Sequence, residues 1–420
     1  MKFLWISRYG DGAGIAWRLK QEGHNVALWI KQPSAKRAYE GVLPKVDKWE
    51  TFLDRSTVVV FDSTGGGRTA ERLRQQGHPV FGSSVFADEL ELDRQFGTQL
   101  MVDAGIKVPE THTFKSLSEG QSFAKQHKDR TWIFKPSGQM PAELTYVPYD
   151  AEDAVEYFNY LKKLLQNESV EFELQELKEG VAVSTEAWCD GTRFVPPFNH
   201  TIEKKRFMND DLGPSTGCVG NVVWAEPRPC RTISEGLARA ERTLVGAGYI
   251  GPIDLNTIVN EEGVWGLEWT PRFGYDAICC FLRLYKGDFG ALISNFARSQ
   301  FGEAELPLSN VFSGGVRLTI PPAPDEQHPS KGGESLRGFP KEDMPSYYFY
   351  EVMLDKDKSM IHSGGFGTVI CATGVAATFR ESLTRPYEIV ERAMVPNKQY
   401  RTDLREAMGK TYDEFLKLGG

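Results

Sequence analysis

The most informative stretch of the sequence is Gly266-Leu-Glu-Trp-Thr-Pro-Arg-Phe-Gly274, in which polar and apolar residues alternate. Successive side chains of a strand point to opposite faces, so Glu268, Thr270 and Arg272 should face the same side. A carboxylate, a hydroxyl and a guanidinium on one face are suited to holding a phosphate together with a divalent cation.

A second strand precedes this stretch and is predicted to lie beside it. The run Ile-Asp-Leu-Asn-Thr-Ile-Val at 253–259 is separated from it by Asn260-Glu-Glu-Gly263, a turn typical of a hairpin. Asp254 and Asn256 share one face of the run and would add oxygen atoms to the same spot. The hairpin therefore predicts a magnesium and phosphate site, because Mg²⁺ takes oxygen ligands; a cross-strand ion pair is the alternative.

A lysine stands at the end of another apolar strand. The run Thr131-Trp-Ile-Phe-Lys135 is followed by Pro136-Ser-Gly138, so a cation lies where a strand gives way to a flexible loop. Such a cation could hold a phosphate. A surface lysine whose aliphatic stem covers apolar neighbours would show the same pattern.

Two basic residues, Lys205 and Arg206, precede the long glycine-rich loop Gly213-Pro-Ser-Thr-Gly-Cys-Val-Gly220. Backbone N–H groups and the hydroxyls of Ser215 and Thr216 could surround a small carboxylate or phosphate there. Loops of this length inside a folded domain are usually functional.

The segment Phe172-Glu-Leu-Gln-Glu-Leu-Lys-Glu-Gly180 alternates as a strand and then becomes a polar turn. Backbone groups exposed between two strands could bind the edge of an adenine ring. Alternating strands with charges on the outer face are also ordinary solvated sheet, so both interpretations stay open.

Composition excludes several classes of protein. The 420 residues are 40% apolar and 25% charged, and they contain no apolar run near the roughly 18 residues of a membrane span. The net charge of −8 gives no overall electrostatic footprint for a nucleic acid. The N-terminal run turns polar after Ile6, too early for the apolar core of a signal peptide, so we expect a cytoplasmic protein. The six scattered cysteines form no C-x-x-C pair and are predicted to be reduced, mostly buried thiols.

The pattern of apolar runs divides the chain into three parts. Short apolar runs alternate with helical patterns over 1–108, which is typical of a parallel α/β layer, and the glycine-rich turns at 10–14 and 65–67 belong to what we interpret as scaffold. An α+β core is predicted over 109–305. A strand-rich domain with a terminal helix is predicted over 306–420.

At this point the chain resembles the ATP-grasp ligases, and among them the phosphoribosylamine–glycine ligases of purine synthesis. GPSTGCVG closely follows the GPNTGGMG of that family. The blocks that carry the resemblance are, in chain order, VVVFDSTGGG, PVFGSS, ELDRQF, WIFKPSG, QELKEG, GPSTGCVG, LEWTPRFGYDA, SGGFGTVICATG and YRTDL.

The resemblance implies an ATP-grasp fold that mixes α/β and α+β parts, with a lid subdomain at about 109–175 and a main lobe at about 176–305. ATP would bind between the two with Mg²⁺. The resemblance assigns Lys135 and Arg94 to the ATP phosphates, Glu176 and Leu177 to the adenine, and Glu268 to magnesium, with Thr270 at the position of the family's metal-binding asparagine. It assigns Arg272 to the transferred phosphate, and Lys205, Arg206, Ser215, Thr216, Gly217, Arg272 and Gly274 to the small substrates. From the predicted hairpin itself, we expect Asn256 or Asp254 to add an oxygen ligand for magnesium. Lys135 and Arg272 would be the catalytic residues.

The activity implied is ADP-forming ligation of a carboxylate, such as that of glycine, to an amine through an acyl phosphate. The partners would be small molecules rather than a membrane or a nucleic acid, and the chain would be a monomer or homodimer. Departures from the family pattern are a lid loop at 137–143 without lysine, Val181 and Ala182 in place of a glutamate pair, and Thr270 in place of a metal-binding asparagine. They leave two alternatives open, the same chemistry on other substrates and a nucleotide-binding protein without turnover.

Overall fold

The protein is described by a computed structural model that covers residues 1–137, 144–165, 170–227, 229–325 and 327–420. Among them, no helix has both the length and the apolar character needed to cross a membrane.

The N-terminal part is a parallel sheet with helices between its strands, as the alternation of apolar runs predicts. The four strands lie in the order β2-β1-β3-β4. Their bounds, with those of the helices, are β1 Lys2–Ser7, α1 Ala13–Gln21, β2 Asn25–Ile30, β3 Val58–Phe61, α2 Gly67–Gln75, β4 Val80–Phe81, α3 Val85–Leu92 and α4 Arg94–Asp103.

A small antiparallel sheet follows, in the order β5-β7-β6. Its core is a separate aromatic cluster in which Phe134 stacks on Phe172 with ring centroids 4.7 Å apart. The elements are β5 Thr111–Phe114, α5 Leu117–Gln126, β6 Trp132–Pro136, α6 Ala151–Leu165 and β7 Phe172–Glu176.

The rest of the chain is organised by one large antiparallel sheet. Its elements and those packed around it are β8 Val181–Asp190, β9 Phe194–Arg206, β10 Ser215–Glu226, α7 Glu241–Gly246, β11 Ile250–Asn260, β12 Gly263–Thr270, α8 Ala277–Leu284, α9 Phe289–Ala297, β13 Phe312–Thr319, β14 Tyr347–Phe349, β15 Val352–Leu354, β16 Met360–His362, β17 Thr368–Ala376, α10 Thr384–Arg392 and α11 Leu404–Lys417. Eight of these strands form the sheet in the order β12-β11-β8-β9-β10-β13-β17-β14, and β15 and β16 form a separate hairpin.

The predicted hairpin is present, and its register sets the site. β11 and β12 pair antiparallel, with Asp254 opposite Thr270 and Asn256 opposite Glu268. A register shift follows Asn256. These four polar residues therefore lie on adjacent strands at one edge of the large sheet.

The division between 109–305 and 306–420 remains a prediction, because the sheet itself is continuous across it. β13 pairs with β10, and Val316 lies opposite Gly220. The strands after residue 305 thus extend the sheet that the preceding segment begins.

Aromatic side chains fix the N-terminal sheet against the large sheet. Phe81 lies 5.8 Å from the ring of Trp188 and 5.6 Å from that of Phe273. All three residues belong to one buried cluster that spans both parts of the chain. The carboxyl ends of the N-terminal strands are thereby held at the edge that carries the hairpin.

All six cysteines are free thiols, and Cys230 alone of the six is not fully buried.

Candidate functional site

Two adjoining cavities lie where the three sheets meet. The first has a volume of about 590 Å³ and is lined by α3, α4, β6, β7 and β12. The second has a volume of about 440 Å³ and lies between the N-terminal turns and the large sheet. The residues common to both are Glu91, Leu92, Glu268, Thr270 and Arg272.

The first cavity brings together the two predicted phosphate-binding cations. Lys135 comes from β6 and Arg94 from the first turn of α4, and both line it beside Glu268. Burial lowers the pKa of Lys135 to about 8, while the negative charge of Glu268 opposes that shift. Two cations lining one cavity make it suited to phosphate groups.

Glu173 is a residue of this cavity that the sequence interpretation missed. It pairs across the strands with Lys135 and is buried, and burial raises its pKa. Its position in the alternating run of β7, two residues before Gln175, was the available signal. Glu173 offsets part of the positive charge of Lys135 and Arg94.

Lys205 and Glu268 are in contact where the cavities join. The Lys205 Nζ lies 3.4 Å from Glu268 Oε1 and 3.3 Å from Glu203 Oε1. The charge of Glu203 raises the pKa of Lys205 above its usual value, and the charge of Lys205 lowers the pKa of Glu268. Glu268, the predicted metal ligand, thus forms an ion pair with a lysine of β9, not with a residue of the neighbouring strand β11.

The other predicted magnesium ligands lie on the hairpin beside Glu268. Asn256 Nδ2 donates to Thr270 Oγ1 at 3.4 Å, and Asn256 Oδ1 accepts from Ser184 Oγ at 2.7 Å. Burial raises the pKa of Asp254 well above its usual value. Asp254 Oδ1 is buried, and no described residue donates to it.

This set of oxygens fits a hard cation, and the unbonded Asp254 Oδ1 is the structural observation that supports it. The set is incomplete without a ligand. Among the described residues, the one group of three His, Cys, Asp or Glu side chains whose donor atoms already converge is Glu22, His24 and Asp288, outside both cavities. Magnesium at the hairpin would therefore need phosphate oxygens and water to complete its shell.

Arg272 is held in place by a carboxylate from another part of the chain. Its Nε donates to Glu91 Oε1 at 3.0 Å, and its Nη2 lies 2.8 Å from the same oxygen. A third nitrogen, Nη1, donates to the carbonyl of Phe273. Glu91 at the end of α3 thus fixes the guanidinium at the junction of the two cavities, where both a transferred phosphate and its acceptor can reach it.

The structure brings only part of the predicted substrate loop to the second cavity. Gly217 of the loop lines that cavity, as do Lys205 and Gly274, which lie outside the loop. Arg206 Nη1 donates to the Gly213 carbonyl at 2.9 Å, and Thr216 Oγ1 donates to the Lys205 carbonyl at 2.8 Å. In the part of the chain that is described, neither of these side chains lines either cavity.

Ser215 is exposed at the start of β10 and likewise lines neither of the two described cavities. The loop folds back as a β-strand paired with β9, and the Thr216 hydroxyl is bonded to the backbone of that strand. The roles predicted for Arg206, Ser215 and Thr216 remain predictions.

The predicted adenine contacts lie at the end of β7. The N–H groups of Glu176 and Leu177 donate to the carbonyls of Glu110 and Thr131, each at 2.8 Å. Glu176 Oε1 also lies 3.0 Å from Lys178 Nζ. Both N–H groups are used within the protein, so an adenine at this turn would depend on other backbone atoms. The lid-loop residues 138–143 lie outside the described residues.

The N-terminal domain contributes to the second cavity, contrary to its interpretation as scaffold. The turns that follow β1 and β3 supply five lining residues, which are Arg8, Tyr9, Asp11, Ser63 and Thr64. The glycines of these turns were visible in the sequence as places where a ligand could approach the backbone. They could not show which other part of the chain the turns would face.

The C-terminal strands contribute Arg317, which sequence reasoning also missed. Arg317 extends from β13 into the second cavity, and its Nε and Nη2 each lie 2.9 Å from an oxygen of Asp276. An arginine in the apolar run VRLTI was the available signal. The second cavity is therefore built from all three parts of the chain.

Comparison with known proteins identifies similar sequences and similar folds. Residues 92–246 match the family described as phosphoribosylglycinamide synthetase, ATP-grasp (A) domain. The parallel N-terminal sheet, the small sheet and the large antiparallel sheet together have the architecture of the ATP-grasp fold.

Within that class, the chain is similar to phosphoribosylamine–glycine ligases. It is 24% identical to that of Streptomyces coelicolor, over 80% of both chains. It is 22% identical to that of Clostridium acetobutylicum, over 96% of this chain and 99% of the relative.

Solved structures show the same fold. Phosphoribosylamine–glycine ligase of Thermotoga maritima superposes with a TM-score of 0.73 at 19% identity, covering 96% of this chain and all (100%) of that one. Biotin carboxylase of Campylobacter jejuni gives a TM-score of 0.64 at 13% identity, covering 99% and 96%. The predicted fold class and the resemblance to phosphoribosylamine–glycine ligases are confirmed.

Proposed function

We propose that the protein is an ATP-dependent, ADP-forming ligase that joins a carboxylate to an amine through an acyl phosphate. The observation that carries the proposal is the convergence of Arg94, Lys135 and Lys205 on Glu268 at the junction of two cavities. One cavity has the charge to hold the phosphates of ATP, and the other has room for the small substrates. The similarity to named ligases supports the same assignment.

The first step is transfer of the γ-phosphoryl group from ATP to the substrate carboxylate. Lys135 and Arg94 orient the phosphates, and Arg272 neutralises charge on the group in transit. Such catalysis depends on positioning and charge neutralisation rather than on a protein nucleophile. Magnesium, bound at Glu268 with the neighbouring oxygens, would supply further charge neutralisation.

The second step is attack of the amine on the acyl phosphate. The C–N bond forms, and the bond between the acyl carbon and the phosphate oxygen breaks. Because Arg272 lines both cavities, the acyl phosphate can meet the amine without leaving the site.

The relatives are named for phosphoribosylamine and glycine, so we propose this pair as the substrates. An incubation of the protein with ATP, Mg²⁺, glycine and phosphoribosylamine should release ADP and phosphate in equal amounts. Omission of either cosubstrate is the matched control. Hydroxylamine added in place of the amine should give glycine hydroxamate.

If release of ADP depends on a different carboxylate or amine, the proposed ligation chemistry stands and the proposed substrate pair is wrong. ATP binding without ADP release across a panel of amino acids and amines would contradict the proposal and favour a nucleotide-binding protein without turnover. We place the reaction in the cytoplasm, following the sequence-based expectation.

A further inference from the structure

The turn between β1 and α1 holds Asp11 at the wall of the second cavity. The next residue, Gly12, donates its N–H to Asp62 Oδ2 at 3.0 Å, and Trp5 Nε1 donates to the same oxygen at 2.9 Å. A Cβ atom at position 12 would lie 2.8 Å from the hydroxyl of Tyr275, so the turn is packed against the large-sheet side of the site. Asp11 is therefore presented by a fixed backbone.

The Asp11 carboxylate is available to a ligand. No described residue donates a hydrogen bond to it or forms an ion pair with it, and its side chain is only partly buried. Three other carboxylates of the cavity are already engaged, since Glu91 binds Arg272 while Glu203 and Glu268 contact Lys205. A fourth, Asp254, belongs to the oxygen set assigned above to magnesium.

Several charged groups surround Asp11 from three parts of the chain. Asp62 and Glu351 disfavour its negative charge, whereas Arg272 and Arg317 favour it. Desolvation at the cavity wall is the largest effect and raises the pKa of Asp11 to about 7. A carboxylate that titrates near neutral pH can both accept and return a proton during turnover.

Carboxylates of the protein occupy the backbone N–H groups at this end of the cavity. Asp62 accepts from Gly12, and Asp88 accepts from Gly65 and Gly67 at 2.7 and 2.8 Å. The N–H groups of these glycine-rich turns are therefore already bonded to carboxylates of the protein itself. The negative charge of these carboxylates favours binding of an amine nitrogen that is becoming positive and disfavours binding of an anion at this end of the cavity.

We propose that Asp11 is the base that accepts a proton from the amine nitrogen as the C–N bond forms. The assignment rests on the proposed ligase function and names the residue that completes its second step. As nitrogen attacks, it becomes positively charged and passes one proton to the Asp11 carboxylate. The acyl carbon then releases phosphate with the electron pair of the broken C–O bond, and Asp11 returns its proton to the departing phosphate.

The test compares Asp11→Asn and Asp11→Glu with the wild-type enzyme, using ATP, glycine and phosphoribosylamine over a range of pH. The wild-type kcat/KM for the amine should fall as the pH decreases below about 7, because a protonated Asp11 cannot accept a proton. Asp11→Asn should lower kcat by roughly 100-fold or more and abolish that pH dependence. Asp11→Glu should have a higher kcat than Asp11→Asn. Its kcat/KM for the amine should again fall at acidic pH, with a midpoint different from that of the wild type.

The matched control is Asp54→Asn, the same change at an exposed aspartate of the same domain that pairs with Lys2. It should leave rate and pH profile unchanged. The KM values for ATP and glycine should stay near wild type in Asp11→Asn. A concentrated hydroxylamine solution, whose nitrogen is a strong nucleophile, should still trap glycine hydroxamate with that variant.

The outcomes separate the two proposals. Absence of ADP release and of hydroxamate with the wild-type enzyme across a panel of amino acids and amines would contradict the ligase function itself. Normal ligase activity in Asp11→Asn, an unchanged acidic limb in that variant, or loss of hydroxamate trapping together with ligation would overturn the role of Asp11 while leaving the ligase function in place.

Discussion

Lys135 and Lys205 approach the same carboxylate, Glu268, from the small and the large sheet, and their surroundings shift their pKa values in opposite directions. Lys135 is desolvated and forms no ion pair with any described residue, so its pKa falls to about 8. Lys205 lies between Glu203 and Glu268, and its pKa rises. The comparison shows that Lys135 carries a charge that a ligand must satisfy, whereas the charge of Lys205 is already satisfied by the protein.

The largest effect is expected from Lys135→Ala. This change removes the cation that lacks a partner, so kcat should fall by about 100-fold to 1,000-fold, the range for loss of one preorganised charge-stabilising group. ADP release measures it. Lys128→Ala is the control, because that exposed lysine of the same domain pairs with Glu152 instead. Equal losses of ADP release in the two variants would show that the missing ion-pair partner of Lys135 is not what makes it important.

The next largest effect is expected from Glu268→Gln, which removes the carboxylate that both lysines share. Turnover should fall by about 100-fold, since the proposed magnesium site would lose its charged ligand and two cations would lose their counter-charge. A titration of activity against Mg²⁺ should show a higher requirement for the ion. Glu261→Gln, in the exposed turn of the same hairpin, is the control. Full activity of Glu268→Gln would show that the metal does not bind here.

A smaller effect is expected from pH. Because the pKa of Lys135 is about 8, its charge should be lost as the pH rises through that value, and the KM for ATP should increase. Steady-state rates at neutral and moderately alkaline pH measure this change. Lys135→Arg should remove the alkaline limb, because a guanidinium stays protonated. The same limb in Lys135→Arg would assign it to another group.

The smallest effect is expected from Thr270→Asn, which replaces a hydroxyl by an amide oxygen next to Glu268. An amide oxygen is the better ligand for a hard cation, so the Mg²⁺ concentration for half-maximal activity should decrease and kcat should be preserved. A metal titration at saturating ATP measures both. A large loss of activity would show that the hydrogen bond from Asn256 to Thr270 matters more than a metal contact.

The hairpin could be predicted from sequence because its information is local. The alternation in β12 and the turn at 260–263 fix the register, and the register alone places Glu268 near Asn256. The lysine at the end of β6 could be found for the same reason, since an apolar run that ends in a cation is visible in a single segment.

The remaining parts of the site depend on contacts between distant segments. Asp11, Glu91 and Arg317 meet in one cavity only because aromatic packing fixes the N-terminal sheet against the large sheet and because β13 pairs with β10. No periodicity in the sequence reports those contacts. Conversely, the sequence placed the hydroxyls of Ser215 and Thr216 in a binding loop, whereas both residues begin β10 and line neither of the two described cavities.

The pairing of β13 with β10 also limits where the chain can be truncated. A fragment that stops at residue 305 would leave β10 as an open edge, with unpaired backbone groups that invite self-association. It would also lack Arg317, so the second cavity would lose one wall. Recombination or domain transplantation in this protein must therefore carry the C-terminal segment along with residues 109–305, because the two segments share one sheet.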